Sequence, residues 1–329
     1  MLNKTDVIRC AVLDDYQGVA MQFADWSVLT GRTAPRVEVQ VFNEHIADRN
    51  ALVAALAAFD VVVVMRERTP IDAALMAALP RLKLIVTTGG RNPSIDLQAA
   101  RARGIPVCAT GSVTTGTGEH AWALIMALVR NIPAEVNAFR AGGPWQVGVG
   151  SDLAGKRLGL IGLGRIGARV ARVGRAFEME VQAWSQNLTQ ARCDELGVAH
   201  AGSLESLMES SDYISIHVVL SERTRGLVNA AMLARMKPTA FIVNTSRGPV
   251  VDEQALLAAL RSRRIAGAAL DVFDHEPLPA DHPYRKLDNL IATSHIGYVT
   301  RGAYTTYYRE SVEDIASWLD GKPLRVLNP

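Results

Sequence analysis

Four short stretches of the chain combine residue types that could do chemistry. Gly162-Leu163-Gly164-Arg165-Ile166-Gly167 follows the apolar run Lys156 to Ile161 and precedes a segment carrying Val170, Val173 and Phe177 at helical spacing. Set between a strand and a helix, this glycine pattern is a phosphate cradle. The first glycine permits a tight turn, the second lets backbone approach a pyrophosphate, the third brings helix and strand close, and the helix N-terminus presents its N–H groups. A bound dinucleotide is implied. Arg247, in Asn244-Thr245-Ser246-Arg247-Gly248-Pro249, offers a planar fork for a carboxylate. Glu276 follows Leu270-Asp271-Val272-Phe273-Asp274-His275, and His295 lies in Ala292-Thr293-Ser294-His295-Ile296-Gly297. Taken singly, Arg247 reads equally as a surface arginine at a turn, and a lone histidine is more often structural than catalytic. What groups them is position: each follows an apolar run, at the C-terminal side of a sheet where open α/β folds bind ligands.

Rival chemistries fail on spacing. Gly150-Ser151-Asp152-Leu153-Ala154-Gly155-Lys156-Arg157 nearly spells a triphosphate-binding loop, but Arg157 stands where Ser or Thr would hold magnesium, and a strand follows instead of a helix. His275, Glu276, Asp281 and His282 lack metal-ligand spacing and share their segment with Pro277, Pro279 and Pro283, so no metal is expected. No G-x-S-x-G nucleophile elbow occurs. With 35 Lys plus Arg against 33 Asp plus Glu, the net charge of +2 gives no general hold on nucleic acid or acidic lipid. Apolar stretches such as Ala121 to Val129 fall well short of the ~20 residues of a membrane helix. Three scattered cysteines (Cys10, Cys108, Cys193) suit reduced packing thiols, and Met1 to Asp6 leads into a strand without a leader-like apolar segment. These features imply a cytoplasmic protein whose partner is a small molecule.

The elements that must position the candidate groups are βα units. Short β-branched runs alternate with Ala/Leu-rich segments of helical period, which specifies an α/β fold with parallel sheets. Strands are expected at Ile8 to Asp14, Val37 to Phe42, Val61 to Met65, Leu82 to Thr87 and Pro106 to Ala109. A second series is expected at Arg157 to Gly162, Glu180 to Ser185, Tyr213 to Val218, Phe241 to Asn244, Ala268 to Phe273 and Leu290 to Thr293. Asp48 should cap a helix running to Phe59. Thr110 to Gly118 has linker composition and leads into an apolar helix from Glu119 to Val129. The amphipathic segment Tyr304 to Leu319 has no strand of its own, so it should pack back on the first series. A length of 329 residues is enough for two domains at roughly 150 residues each.

From about Gly155 to Gly297 the chain resembles the D-isomer-specific 2-hydroxyacid dehydrogenases, a family that includes glyoxylate/hydroxypyruvate reductases, D-lactate dehydrogenases and phosphoglycerate dehydrogenases. The resemblance is carried in order by the Leu153-x-Gly155-Lys156 lead-in, the glycine fingerprint, Thr245-Ser246-Arg247-Gly248, Ala269-Leu270-Asp271-Val272-Phe273-x-x-Glu276-Pro277 and Ser294-His295-Ile296-Gly297. It implies a Rossmann doubly wound parallel sheet, residues 111–298, inserted into a flavodoxin-like α/β substrate domain of residues 1–110 and 299–329. It implies hydride transfer between NAD (NADP being the alternative) and a D-2-hydroxy acid/2-keto acid pair. Arg247 would bind the substrate carboxylate and carbonyl oxygen, His295 would act as acid/base, Glu276 would pair with it, and Asp271 would meet the nicotinamide carboxamide. Formate dehydrogenases, which resemble this family, carry Gln where this chain has Glu276, so a proton-transferring reaction is favoured.

The expected cofactor contacts are Gly162, Gly164, Arg165, Ile166, Gly167, Ser185, Gln186, His217, Val218, Thr224, Thr245, Asp271 and His295. The expected substrate contacts are Arg66, Gly89, Gly90, Arg247 and Tyr298. Ser185 stands where NAD enzymes commonly place a carboxylate, which leaves NAD and NADP both open. The loop Thr87-Thr88-Gly89-Gly90-Arg91-Asn92-Pro93 departs from the family form, with Arg91-Asn92-Pro93 where Tyr-Asp-Asn is common, and Val219 stands in place of a common proline. The apolar 121–129 helix and the arm 137–145 suggest a homodimer. The alternative reading is a dinucleotide-sensing binding protein, because the C-terminal-binding-protein corepressors resemble these enzymes and keep the same Arg, Glu and His.

Overall fold

The computed structural model describes residues 7–329, so the segment Met1 to Asp6, read above as free of a leader, lies outside the described residues. The chain divides into two compact units, one of the residues up to Val113 together with Val299–Pro329, the other of Thr114–Tyr298. In the first unit β1 (Val7–Val12), β2 (Arg36–Val41), β3 (Val61–Val64), β4 (Leu84–Thr87) and β5 (Val107–Ala109) form one parallel sheet in the order β2-β1-β3-β4-β5. That is the flavodoxin-like order. Central β3 is four consecutive valines, all buried, as a parallel strand covered on both faces requires. Asp48 caps the Arg49–Leu56 helix by accepting from Ala51 N–H at 2.8 Å, and Leu52 and Leu56 turn inward. The Arg301–Leu319 helix returns to this unit and buries Tyr307, Tyr308 and Ile315. The tail after it continues to β5, where Val326 bridges Cys108 and the Asn328 side chain accepts from Val107 N–H at 2.8 Å. Burial pushes the Cys10 and Cys108 thiols up to about 12, so both are inert packing groups.

In the second unit β6 (Arg157–Ile161), β7 (Glu180–Trp184), β8 (Ala199–His200), β9 (Tyr213–Ile216), β10 (Phe241–Asn244), β11 (Gly267–Leu270) and β12 (Leu290–Ala292) form a parallel sheet ordered β12-β11-β10-β9-β6-β7-β8. This is the doubly wound Rossmann order with one further strand, and its direction of progression reverses between β6 and β9, the topological switch point at which such sheets bind ligands. Strand β8 was not anticipated, because two residues carry no hydrophobic period. The Thr115–Val129 helix begins inside the segment read as linker, with Gly116 and Gly118 buried in its first turns. A Cβ at Gly118 would stand 3.6 Å from the Arg169 side chain of the Arg165–Ala176 helix, an ordinary contact, so the glycines are part of a regular packed helix here. Among the described residues no helix is long and apolar enough to cross a membrane.

Candidate active site

Each candidate group of the second unit emerges from the C-terminal end of a strand. At the switch point Gly162 follows β6 with φ +103, and a Cβ there would stand 2.7 Å from the His217 carbonyl oxygen. Gly167 is closer still, its notional Cβ only 2.2 Å from the Gly162 oxygen, which fixes helix against turn. Gly164 is the opposite case: nothing lies within 4 Å of its Cβ position, and it opens the Arg165–Ala176 helix without a side-chain cap. The first N–H groups of that helix therefore face open space, as a pyrophosphate needs. Two buried polar atoms beside this turn have no hydrogen-bond partner among the described residues, His217 Nε2 and Thr245 Oγ1. Burial holds the His217 imidazole down to about 4, so it is neutral at physiological pH. A cradle that only a side chain would fill and two orphaned polar atoms fit a dinucleotide. Ser185 and Gln186 follow β7 at the surface, with Ser185 O accepting from Leu188 N–H at 3.0 Å. Ser246 Oγ donates to Val218 O. The Thr224 hydroxyl is occupied in its own turn, donating to Val219 O at 2.7 Å and accepting from Ser221 N–H at 2.8 Å.

The catalytic candidates occupy the loops after β10, β11 and β12. Buried Asn244 fixes the first loop: its amide donates to Arg247 O at 2.9 Å and its oxygen accepts from Ser246 N–H at 3.0 Å. Arg247 Nη1 donates to Ser246 O at 2.7 Å. His295 Nδ1 lies 2.6 Å from Glu276 Oε2, and Glu276 Oε1 accepts from Phe273 N–H at 2.9 Å. With Nδ1 directed at a carboxylate, Nε2 is the nitrogen left for proton transfer, and among the described residues it has no partner. Tyr298 packs edge-on to the His295 ring, centroids 5.4 Å apart. Asp271 is 1% exposed and accepts from Thr293 Oγ1 at 2.6 Å, Ile296 N–H at 2.8 Å and Gly297 N–H at 2.8 Å. Burial raises its proton affinity, but the donors His120, Thr293 and Ile296 N–H outweigh it and hold the carboxyl below its ordinary range. Expected at the nicotinamide, Asp271 spends most of its lone pairs on the loop that carries His295. Among the described residues no group of three or more His, Cys, Asp or Glu is placed to hold a metal ion.

In the first unit Arg66, φ +55, follows β3 and reaches Gly89, whose notional Cβ would stand 2.0 Å from Arg66 Nη1. The backbone donors expected to face a carboxylate are occupied: Gly89 N–H donates to Thr110 Oγ1 at 2.7 Å and Gly90 N–H to Ser112 Oγ at 2.9 Å. Thr110 is buried and Ser112 exposed, so only the second bond is readily exchanged for a ligand. Asn92 in the altered stretch ties the loop down, its amide donating to Arg66 O at 2.6 Å.

Comparison with known proteins decides the family. Residues 122–297 match the family model described as D-isomer specific 2-hydroxyacid dehydrogenase, NAD binding domain. A glyoxylate reductase of Korarchaeum cryptofilum is 39% identical over 78% of this chain and 75% of its own length. The chain belongs to the D-isomer specific 2-hydroxyacid dehydrogenases. These are oxidoreductases acting on CH–OH donors with NAD(P). A D-3-phosphoglycerate dehydrogenase of Archaeoglobus fulgidus is 38% identical over 80% of this chain, and the match spans half of that protein's length. The crystal structure of a phosphoglycerate oxidoreductase from Vibrio cholerae superposes with a TM-score of 0.90 at 34% identity, covering 95% of this chain and 99% of that one.

Sequence reasoning missed three residues of this dehydrogenase that shape the site. The sequence places Asn244 at the end of one strand, Thr293 at the end of another and His120 within an apolar helix, without a role at the site for any of them. A signal for His120 existed: it is a histidine at the start of an otherwise apolar stretch, Ala121 to Val129.

Proposed function

We propose that the protein is an NAD(P)-dependent D-2-hydroxyacid dehydrogenase working mainly as a 2-keto acid reductase, with the second unit binding the dinucleotide and the first unit binding substrate. The observation that carries the reading is the His295–Glu276 pair at 2.6 Å, on the same sheet edge as the glycine turn. Bound nicotinamide dinucleotide supplies the hydride for reduction of the carbonyl carbon. The chain's task is the oxygen, on which negative charge grows. His295, protonated on both nitrogens with Nδ1 anchored to Glu276, donates the Nε2 proton to that oxygen; in the oxidative direction the same nitrogen accepts it. Glu276 stabilises the imidazolium and fixes its orientation. The Arg247 guanidinium binds the carboxylate and carbonyl oxygen of the 2-keto acid, its loop pinned by Asn244. His217 and Thr245 satisfy their orphaned polar atoms on the dinucleotide, with Gly162, Gly164, Arg165, Ile166 and Gly167 around the pyrophosphate and Ser185, Gln186, Val218 and Thr224 toward the adenosine.

The test is NADH and NADPH oxidation with glyoxylate, hydroxypyruvate, pyruvate, phenylpyruvate and longer 2-keto acids. Turnover of at least one, giving the D-hydroxy acid, is expected. A protein that binds the dinucleotide tightly and turns over none is a sensor of the corepressor kind.

We also propose a homodimer. The Ile132–Arg140 helix buries none of its residues, and Phe139 and Trp145 stand 71% and 84% exposed with their rings 6.3 Å apart. Apolar area of this kind on one arm calls for a partner surface. Light scattering should give a dimer mass for the wild type and a monomer mass for the double variant Phe139→Glu/Trp145→Glu; a monomeric wild type ends the proposal.

A further inference from the structure

The turn that presents His295 is held from behind by a polar chain of Asp271, Thr293 and His120. His295 has φ +56, a left-handed conformation that a side-chain-bearing residue keeps only where its surroundings impose it. Asp271 does much of the imposing. One oxygen accepts from Ile296 N–H and the other from Gly297 N–H, both at 2.8 Å. Ahead of the turn Thr293 donates its hydroxyl to the same carboxylate at 2.6 Å, and His295 N–H donates to Thr293 O at 3.1 Å. One buried carboxylate thus grips the chain on both sides of His295.

His120, near the start of the Thr115–Val129 helix, completes the grip. Its Nε2 stands 2.9 Å from Thr293 Oγ1 and 3.2 Å from Asp271 Oδ1. The only hydroxyl proton of Thr293 goes to Asp271, so Nε2 carries a proton and donates to both oxygens. Gly297 is wedged into the same assembly, its notional Cβ 2.9 Å from Asp271 Oδ2 and 3.6 Å from His120 Cδ2. A helix turn, two strand ends and the His295 loop therefore meet at a single bonded cluster inside the second unit.

We infer that His120 is a positioning residue: through Thr293 and Asp271 it fixes the left-handed His295 turn and so aims the imidazole. The inference rests on the catalytic role proposed for His295. Losing the N–H donor frees the Thr293 hydroxyl to rotate and leaves the buried carboxylate short of a partner, so the loop relaxes and the imidazole loses its aim.

The test compares His120→Ala, His120→Gln, which keeps an N–H at similar reach, and Thr293→Val, with His295→Ala as reference. Steady-state turnover, dinucleotide binding by fluorescence and the ring ¹⁵N resonances of His295 are read for each. Expected for His120→Ala is a kcat lower by about tenfold to a hundredfold, with keto acid KM and dinucleotide affinity little changed and the His295 ring resonances displaced. His120→Gln should restore most of both signals, and Thr293→Val should repeat the loss. Full kcat in His120→Ala or in Thr293→Val, beside an inactive His295→Ala, overturns the inference and leaves the proposed function standing. Full kcat in His295→Ala overturns the proposed function instead. Equal damage in His120→Ala and His120→Gln with loss of dinucleotide binding overturns positioning in favour of mere structure. Unchanged His295 resonances in His120→Ala overturn the inference whatever the turnover.

Discussion

Replacing His295 by Ala is expected to lower kcat by about 10² to 10⁴-fold, the range set by removal of a positioned general acid, while dinucleotide affinity stays within a few-fold of wild type. The size of the effect follows from the geometry. Nδ1 is committed to Glu276 at 2.6 Å, so proton transfer by this imidazole runs through Nε2 alone. The fold should survive, because the left-handed turn is held by backbone donors to Asp271 and not by the imidazole. His295→Asn separates the two effects, since asparagine tolerates φ +56 better than alanine yet transfers no proton. Glu276→Gln should cost less than His295→Ala: the amide oxygen still accepts from Nδ1–H and keeps the ring oriented, but the neutral amide no longer faces the imidazole with a full charge. Stopped-flow reduction of a keto acid and fluorescence titration with NADH check both statements. Retention of most of the turnover in His295→Ala would assign the proton transfer to another group.

What could be read from the sequence divides along a physical line. Wherever one segment determined the outcome, reading succeeded. The four valines of β3 and the βα alternation specified parallel sheets, the Asp48 cap was legible, and the glycine fingerprint between strand and helix announced its turn. Particular side-chain partners far along the chain were legible only through the family resemblance or not at all. Asp271 lies 26 residues from Gly297, and His120 lies 173 from Thr293, so the cluster that holds the His295 turn leaves no local pattern. The Gly89–Gly90 loop shows the same limit: its N–H groups donate to Thr110 and Ser112, 21 and 22 residues away, and no local pattern announces those partners. The linker reading of Thr115 to Gly118 failed differently. Glycine is a poor helix former by propensity, yet Gly116 and Gly118 lie buried in the first turns of the Thr115–Val129 helix, where the surrounding fold overrides the local preference.

Gly164→Ala and Gly167→Ala are expected to fail in opposite ways, and the contrast separates a cofactor cradle from a mere tight turn. At Gly167 an added methyl meets the Gly162 oxygen at 2.2 Å, a backbone atom that cannot step aside, so the helix must move off the turn. A loss of roughly 3 kcal/mol of folding stability follows from overpacking of this severity, read as a lower midpoint in urea. At Gly164 nothing lies within 4 Å of the new methyl and φ is −78, an ordinary value for alanine, so the melting curve should hardly change. The methyl would instead occupy the space over the helix N-terminus, through which a pyrophosphate must approach to reach the free N–H groups. Dinucleotide Kd should rise by at least about tenfold, equivalent to about 1.4 kcal/mol, with no matching change in stability. Urea unfolding without ligand and fluorescence titration with NADH measure the two quantities independently. If Gly164→Ala binds the dinucleotide as tightly as the wild type, the pyrophosphate does not cross this turn, and the orphaned His217 Nε2 and Thr245 Oγ1 need another partner.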